Sequence, residues 1–256
     1  MRYILIMLVE AKRGNYSFLK GISPYSAGAV ASAGHEIERA RLEPARKLRD
    51  GFAAVEAHLG KLGRPRQALC GMELRSPEPF SFQGFAGFNA TYVAVLKSWE
   101  ILEGGLNPVA RTNVAPELDP PAEVMLYGFS YTVRSDAAGP TCVVAGAGEL
   151  PEGSLAPHDV VRRGESTTDA LAEKARFVMG LMEGRLRGLG VGWKAVTSTV
   201  VYTVHNICPL LAAEILKRMG PAARHGIQWH YARPPIVSIE YEMDLRGCRR
   251  ELVITG

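Results

Sequence analysis

The sequence predicts an α+β protein made of two tandem copies of one β-α-β-α-β-β unit, with helices packed on one face of mixed sheets. Three observations carry this. A helical stripe, a glycine stop and a strand follow one another in the same order in each half. A second helix in each half leads to a proline, an Ala-Arg pair and an extended segment, and each half closes on a proline-led strand. The link Arg134-Ser135-Asp136-Ala137-Ala138-Gly139-Pro140 is polar and turn-rich, so one unit is placed at 1–134 and the other at 141–256.

The elements follow in order. The apolar opening at 4–9, between Arg2 and Glu10, is too short for a membrane span and has no small-residue cleavage site after it, so it reads as a buried strand. Phe52, Val55, Leu59 and Leu62 recur at helical spacing before the stop Gly63-Arg64-Pro65, and 68–74 reads as a strand. A second helix at 85–102 carries Phe88, Tyr92, Val95, Leu96 and Trp99; 107–114 is extended and a strand at 120–126 follows. In the second half Leu171, Phe177, Val178, Leu181, Leu186 and Leu189 form the first helical stripe, ended by Gly190-Val191-Gly192. The β-branched run 193–202 is a strand, 209–219 a short helix opened by Pro209, 220–227 extended, and 233–240 the closing strand. The sheet face opposite the helices, carrying Val196, Val200, Ile236 and Ile239, is apolar and needs a covering partner, which predicts a homo-oligomer.

Composition narrows the function. With 256 residues, 47% hydrophobic and 22% charged, the chain is neither disordered nor fibrous. Thirty Lys and Arg against 26 Asp and Glu leave only +4, spread along the chain, so no nucleic-acid partner is called for. Without a membrane span or targeting signal, a cytoplasmic location is expected. Cys70, Cys142, Cys208 and Cys248 stand far apart with no C-x-x-C pair and read as free, buried thiols. Ala145-Gly146-Ala147-Gly148 lacks the third glycine and following helix of a dinucleotide loop, and no P-loop or G-x-S-x-G elbow is present.

Arg224 stands out. It sits in a Pro-Ala-Ala-Arg turn followed by His225, Trp229, His230, Tyr231 and Arg233, and a guanidinium fork matches a small carboxylate bidentately; an internal acidic partner is the competing reading. Glu240 shares one face of a closing strand with Ile236, Ser238 and Glu242, either orienting a water or facing solvent. His205-Asn206 reads as a pocket mouth or a turn cap. His225 and His230, on opposite faces of an extended segment, do not share a metal.

These pieces resemble the Rid (reactive intermediate deaminase, YjgF-type) family. The second half is similar to it from Val143-Val144-Ala145-Gly146 through the 167–189 helix and the 195–202 strand to the Ala-Arg turn and the Ile-Glu strand. The first half is similar through Ser23-Pro24-Tyr25-Ser26, Phe88-Asn89-Ala90-Thr91-Tyr92 and Pro108-Val109-Ala110-Arg111-Thr112. The resemblance implies a chorismate-mutase-like fold, a trimer or pseudo-trimer with clefts between units, and cofactor-free hydrolysis of enamines and imines to keto acids and ammonia. It implies Arg224 and Arg111 as carboxylate clamps, Glu240 as the residue that positions water, and Tyr25 as a pocket tyrosine. No carboxylate matches Glu240 in the first copy, which has Leu126 nearby, and the second copy lacks a Pro-Tyr-Ser segment. The functional cleft is therefore expected to combine Tyr25 of one unit with Arg224 and Glu240 of another, and a cleft using Arg111 to be modified or merely structural. His225, Trp229 and His230 would shape specificity for a flat conjugated carboxylate such as an aminomuconate-type ring-cleavage product. The alternatives are a non-catalytic small-ligand binding or chaperone-like protein, and a chorismatase-like hydrolase or lyase of a cyclic carboxylate.

Overall fold

A computed structural model describes residues 7–255. In chain order the strands are β1 (Leu8–Ala11), β2 (Tyr16–Leu19), β3 (Gly28–Ala31), β4 (His35–Lys47), β5 (Leu69–Arg75), β6 (Ala110–Pro116), β7 (Met125–Arg134), β8 (Cys142–Gly148), β9 (Ser198–Tyr202), β10 (Gln228–His230), β11 (Ala232–Arg233), β12 (Glu242–Gly247) and β13 (Glu251–Thr255). Three long helices are α1 (Leu48–Lys61), α2 (Phe82–Ser98) and α3 (Thr168–Gly188); a fourth helical run at 208–219 is π-helical over Leu211–Leu216. Ser81 caps α2 by accepting from the Gly84 amide, and Thr167 caps α3 through the Ala170 amide. None of the described helices is long and apolar enough to cross a membrane.

Two mixed sheets form, ordered β1-β2-β3-β8-β12-β9-β10 and β11-β6-β5-β7-β4-β13. Their centres share one connectivity. The series β4-α1-β5-α2-β6-β7 and the series from β8 through α3, β9, the 208–219 helix and β10 to β12 each place the first strand antiparallel to the last. The last is antiparallel to the second, and the second parallel to the third. The ends are exchanged: β3 pairs with β8, and β13 lies parallel to β4, so sheet membership crosses the link at 134–141.

The helices cover one face of each sheet, α1 and α2 over Leu42, Met72 and Phe129, α3 and the 208–219 helix over Val144, Val201 and Met243. The other faces meet each other. Between them lie Tyr16, Phe18, Ile37, Ala110, Val143 and Ala145, next to a buried ionic layer in which Arg39 grips Glu73 at 2.6 and 2.8 Å and Tyr202 donates to Asp244 at 2.8 Å. The covering partner expected from another subunit is thus the second sheet of the same chain. Of the four residues read as that face, Val200 lies between the sheets, Val196 packs on the helix side, and Ile236 and Ile239 sit in a loop against Phe85 and Leu150.

Four local expectations are corrected. The predicted opening strand is described only from residue 7, and the part at 4–6 lies outside the described residues; Met7 and Leu8 are about half exposed, because β1 is a sheet edge. Residues 220–227 are not extended. Gly220 takes a positive φ that ends the preceding helix, Pro221 suits a first turn, and Gly220–His225 coils as a 3-10 helix. The closing strand is not 233–240 but begins at Glu242, since Ser238 adopts φ 75° and the carboxylate of Glu149 accepts the Glu240 and Tyr241 amides at 2.7 and 3.1 Å, taking donors a strand partner would use. Finally, Cys208 is exposed, unlike the other three cysteines.

Candidate active site

The site is built around Arg111, second residue of β6. In α2, Phe85, Phe88, Asn89 and Tyr92 recur at the spacing that gathers them on one helix face, and that face meets the guanidinium. Its carbon lies 4.7 Å from the Tyr92 ring centre, 5.5 Å from Phe85 and 5.6 Å from Phe88, with Tyr25 at 4.7 Å completing the cage. Asn89 Oδ1 accepts from Nη2 at 2.7 Å; Nη1, also buried, has no hydrogen-bond partner among the described residues. Burial pulls the Arg111 pKa down, opposed by Tyr92, Tyr25 and Glu242. Tyr25 is fixed by its neighbours, because Ser26 donates from its amide to Val109 O at 3.0 Å and from its hydroxyl to Pro108 O at 2.9 Å. Asn107 Nδ2 donates to Pro24 O at 2.7 Å.

Glu242 faces this arginine from the other sheet. It opens β12, and its carboxylate lies over Gly146 of β8, where a methyl group would collide with Oε1. Burial, then the negative charge of Asp244, raises its pKa well above the ordinary carboxylate range, and Arg185 and Arg111 oppose this only through charge. Below it, Glu149 and Lys174 form a fully buried pair at 2.9 Å that holds the chain entering β12. Arg185 of α3 donates from Nη1 to Ala145 O at 2.8 Å and grips Glu152 through Nε and Nη2 at 2.6 and 3.0 Å. Together Tyr25, Phe85, Arg111, Arg185, Glu152 and Glu242 line a cleft that opens to solvent.

The structure brings together Tyr25 and Arg111 but not the other residues singled out from sequence. Arg224 is exposed at the end of the 3-10 turn, 3.3 Å from His225 Nε2, with no acidic partner among the described residues; it does not line the cleft. His225 is exposed beside it. Trp229 donates to Thr203 O at 2.9 Å with its ring partly exposed, and His230 packs against Tyr202, its pKa pushed down to about 4 by burial and Arg75. Glu240 meets His205 Nε2 at 2.7 Å. Strand register explains the displacement of Arg224. Arg75 pairs with Val114 where Tyr202 pairs with His230, and each is the last residue of its strand. Counting back from these pairs, the counterpart of Arg111 is Ile227; the shared Ala-Arg dipeptide lies out of register.

Sequence reasoning passed over Glu242 in favour of its neighbour two residues earlier, and missed Asn89, Gly146, Glu152 and Arg185. For Arg185 a signal exists: it shares the helical stripe of Val178 and Met182, all buried, where a guanidinium needs a partner. Among the described residues no group of three or more His, Cys, Asp or Glu is placed to hold a metal.

The family model described as 2-aminomuconate deaminase CnbZ matches residues 8–252. A 2-amino-5-chloromuconate deaminase of Comamonas testosteroni is 43% identical over 244 residues, 94% of this chain and 96% of that protein. A crystal structure of a chorismatase aligns at 12% identity with a TM-score of 0.48, over 91% of this chain and 77% of the other, a likeness too distant to carry an argument.

Proposed function

The chain belongs to the 2-aminomuconate deaminase family, and from that premise we propose that it hydrolyses the C–N bond of an aminomuconate-type substrate, a conjugated enamine bearing carboxylates, to a 2-oxo acid and ammonia. The observation that carries this is the buried guanidinium of Arg111, whose Nη1 has no hydrogen-bond partner among the described residues. An unpaired buried cation is costly unless an anion completes it. The carboxylate beside the amino-bearing carbon is that anion, held by a charge-assisted hydrogen bond against the wall formed by Tyr25 and Phe85.

Glu242, whose proton is held more tightly than an ordinary carboxylic acid's because of burial and the nearby Asp244 charge, supplies the acid. Its proton goes to the enamine carbon, converting the enamine to an imine cation. A water then adds to the C=N carbon while the Glu242 carboxylate takes one of its protons. Transfer of the remaining hydroxyl proton to nitrogen lets the C–N bond break, releasing ammonia and leaving the carbonyl; the carboxyl proton lent at the start is restored by the water. In sum, enamine and water become keto acid and ammonia, and no redox step is involved. The matching connectivity of the two sheets supports descent from one duplicated unit of the reactive intermediate deaminase type.

Arg111→Ala tests the reading. Loss of a charge-assisted contact of about 1.5–3 kcal/mol predicts a fall in kcat/KM of roughly 10- to 150-fold for ammonia release from 2-aminomuconate. Circular dichroism should remain native. Undiminished ammonia release, or none from the unaltered protein, would refute it.

A further inference from the structure

The cleft holds a second arginine that the reaction above does not use. Arg185 is anchored independently of any acid, since Nη1 donates to Ala145 O at 2.8 Å from below Gly146. Its remaining edge, Nε and Nη2, presents a planar fork, and in the free protein that fork is filled by Glu152. The two partners differ in setting. The Arg185 side chain is 6% exposed and that of Glu152 23%, and Glu152 sits in the turn at 151–154, closed by the Ser154 amide on Pro151 O at 3.0 Å, with Gly153 at φ 81°. Among the described residues the Glu152 carboxylate is held by Arg185 alone.

We infer that Arg185 is the seat of a second substrate carboxylate, and that Glu152 is an internal stand-in which a dicarboxylate displaces. The inference rests on the deaminase reading of the cleft. Charge balance favours it. The two guanidiniums of Arg111 and Arg185 against the one carboxylate of Glu152 leave one positive charge unanswered, beside a Glu242 carboxyl whose burial favours its neutral form. A dianion entering beside Glu152 would set two carboxylates against one open guanidinium, with a third carboxylate as a near like charge. Exchange forms two arginine–carboxylate pairs and sends Glu152 toward water, where its charge is solvated. A ligand with a single carboxylate engages Arg111 and leaves the Arg185 pair closed, so the device selects for the dicarboxylate.

The test compares cis,cis-muconate with sorbate, two six-carbon dienes differing by one carboxylate, by titration calorimetry on the unaltered protein, Glu152→Gln and Glu152→Asp. The expected result is that Glu152→Gln raises the muconate-to-sorbate affinity ratio about tenfold, the order expected when one charge-assisted contact is freed, and that Glu152→Asp, too short to fill the fork, moves it the same way. A ratio left unchanged or lowered by both variants, with muconate still binding, would overturn the inference and leave the deaminase reading standing. Failure of both ligands to bind the unaltered protein would overturn that reading and the inference with it.

Discussion

Gly146 is the place where backbone, acid and second arginine meet, and Gly146→Ala is the most informative single perturbation. A Cβ there collides with Glu242 Oε1 and lies 3.1 Å from Thr112 Cγ2, so the carboxyl must swing aside while the backbone, tied to Arg185 through the adjoining Ala145 carbonyl, stays put. Overpacking of this kind costs about 1–3 kcal/mol. In a chain of 256 residues that is a fall in Tm of roughly 2–12 °C. The catalytic effect should be larger than the stability effect, because a displacement near 1 Å of a reacting group costs on the order of 100-fold. Ammonia release with 2-aminomuconate would read it, with kcat falling more than KM rises, since Arg111 is untouched. Because the collision is with one side chain, the stability cost should largely vanish in a Glu242→Ala background, a double-mutant cycle with coupling of about 1–3 kcal/mol. Additive costs, or a full kcat in Gly146→Ala, would refute the placement of Glu242 as the acid.

Three further outcomes follow from the same geometry. The raised pKa of Glu242 means that the folded protein holds this proton more tightly than the unfolded chain does. Its stabilising contribution is therefore present below the ordinary carboxylate range and lost as pH rises through the raised value. Thermal melts should show the unaltered protein losing stability on the alkaline side more steeply than Glu242→Gln, and kcat should decline over the same interval; parallel melting curves would contradict the shift. Lys174→Met leaves Glu149 buried beside the β12 entry without its cation, and should cost about 3–5 kcal/mol in chemical denaturation, where less than 1 kcal/mol would show the pair to be dispensable. Arg224→Ala, at an exposed position outside the cleft, should keep ammonia release within about twofold; a large loss would return the clamp to the arginine that stands out in the sequence.

The legible parts of this protein were those written in local pattern. Helical stripes at Phe52, Val55 and Leu59 and at Leu171, Val178 and Leu186 placed helices against sheets, since each stripe must be buried somewhere. Tyr25 and Arg111 came into view only through the family resemblance of the Pro-Tyr-Ser and Pro-Val-Ala-Arg segments, with the Arg111 cleft expected to be modified or merely structural, and Ser26 and Asn107 tie the two segments together. What local pattern does not encode is long-range register. Glu240 and Glu242 have the same parity along an alternating run, so nothing nearby says that the Glu149 carboxylate, about ninety residues earlier, stops the strand at Glu242. Nor does an apolar sheet face say whether its cover comes from another subunit or from the same chain.

Register also explains why the two similarly connected halves do not each carry both charges of this cleft. At the strand position of Arg111 the second half carries Ile227, and at the position of Glu242, which pairs with the last residue of its neighbour, the first half carries Met125. Each half carries one of the two charges that the proposed chemistry needs. The inter-sheet packing that brings β6 against β8 is then what assembles cation and acid, with Tyr25 and Asn89 supplied from one side and Gly146, Glu152 and Arg185 from the other. Supplying one missing group alone, as in Met125→Glu, would place a carboxylate at a half-buried position without the arginine it answers, so a single substitution does not build a second cleft.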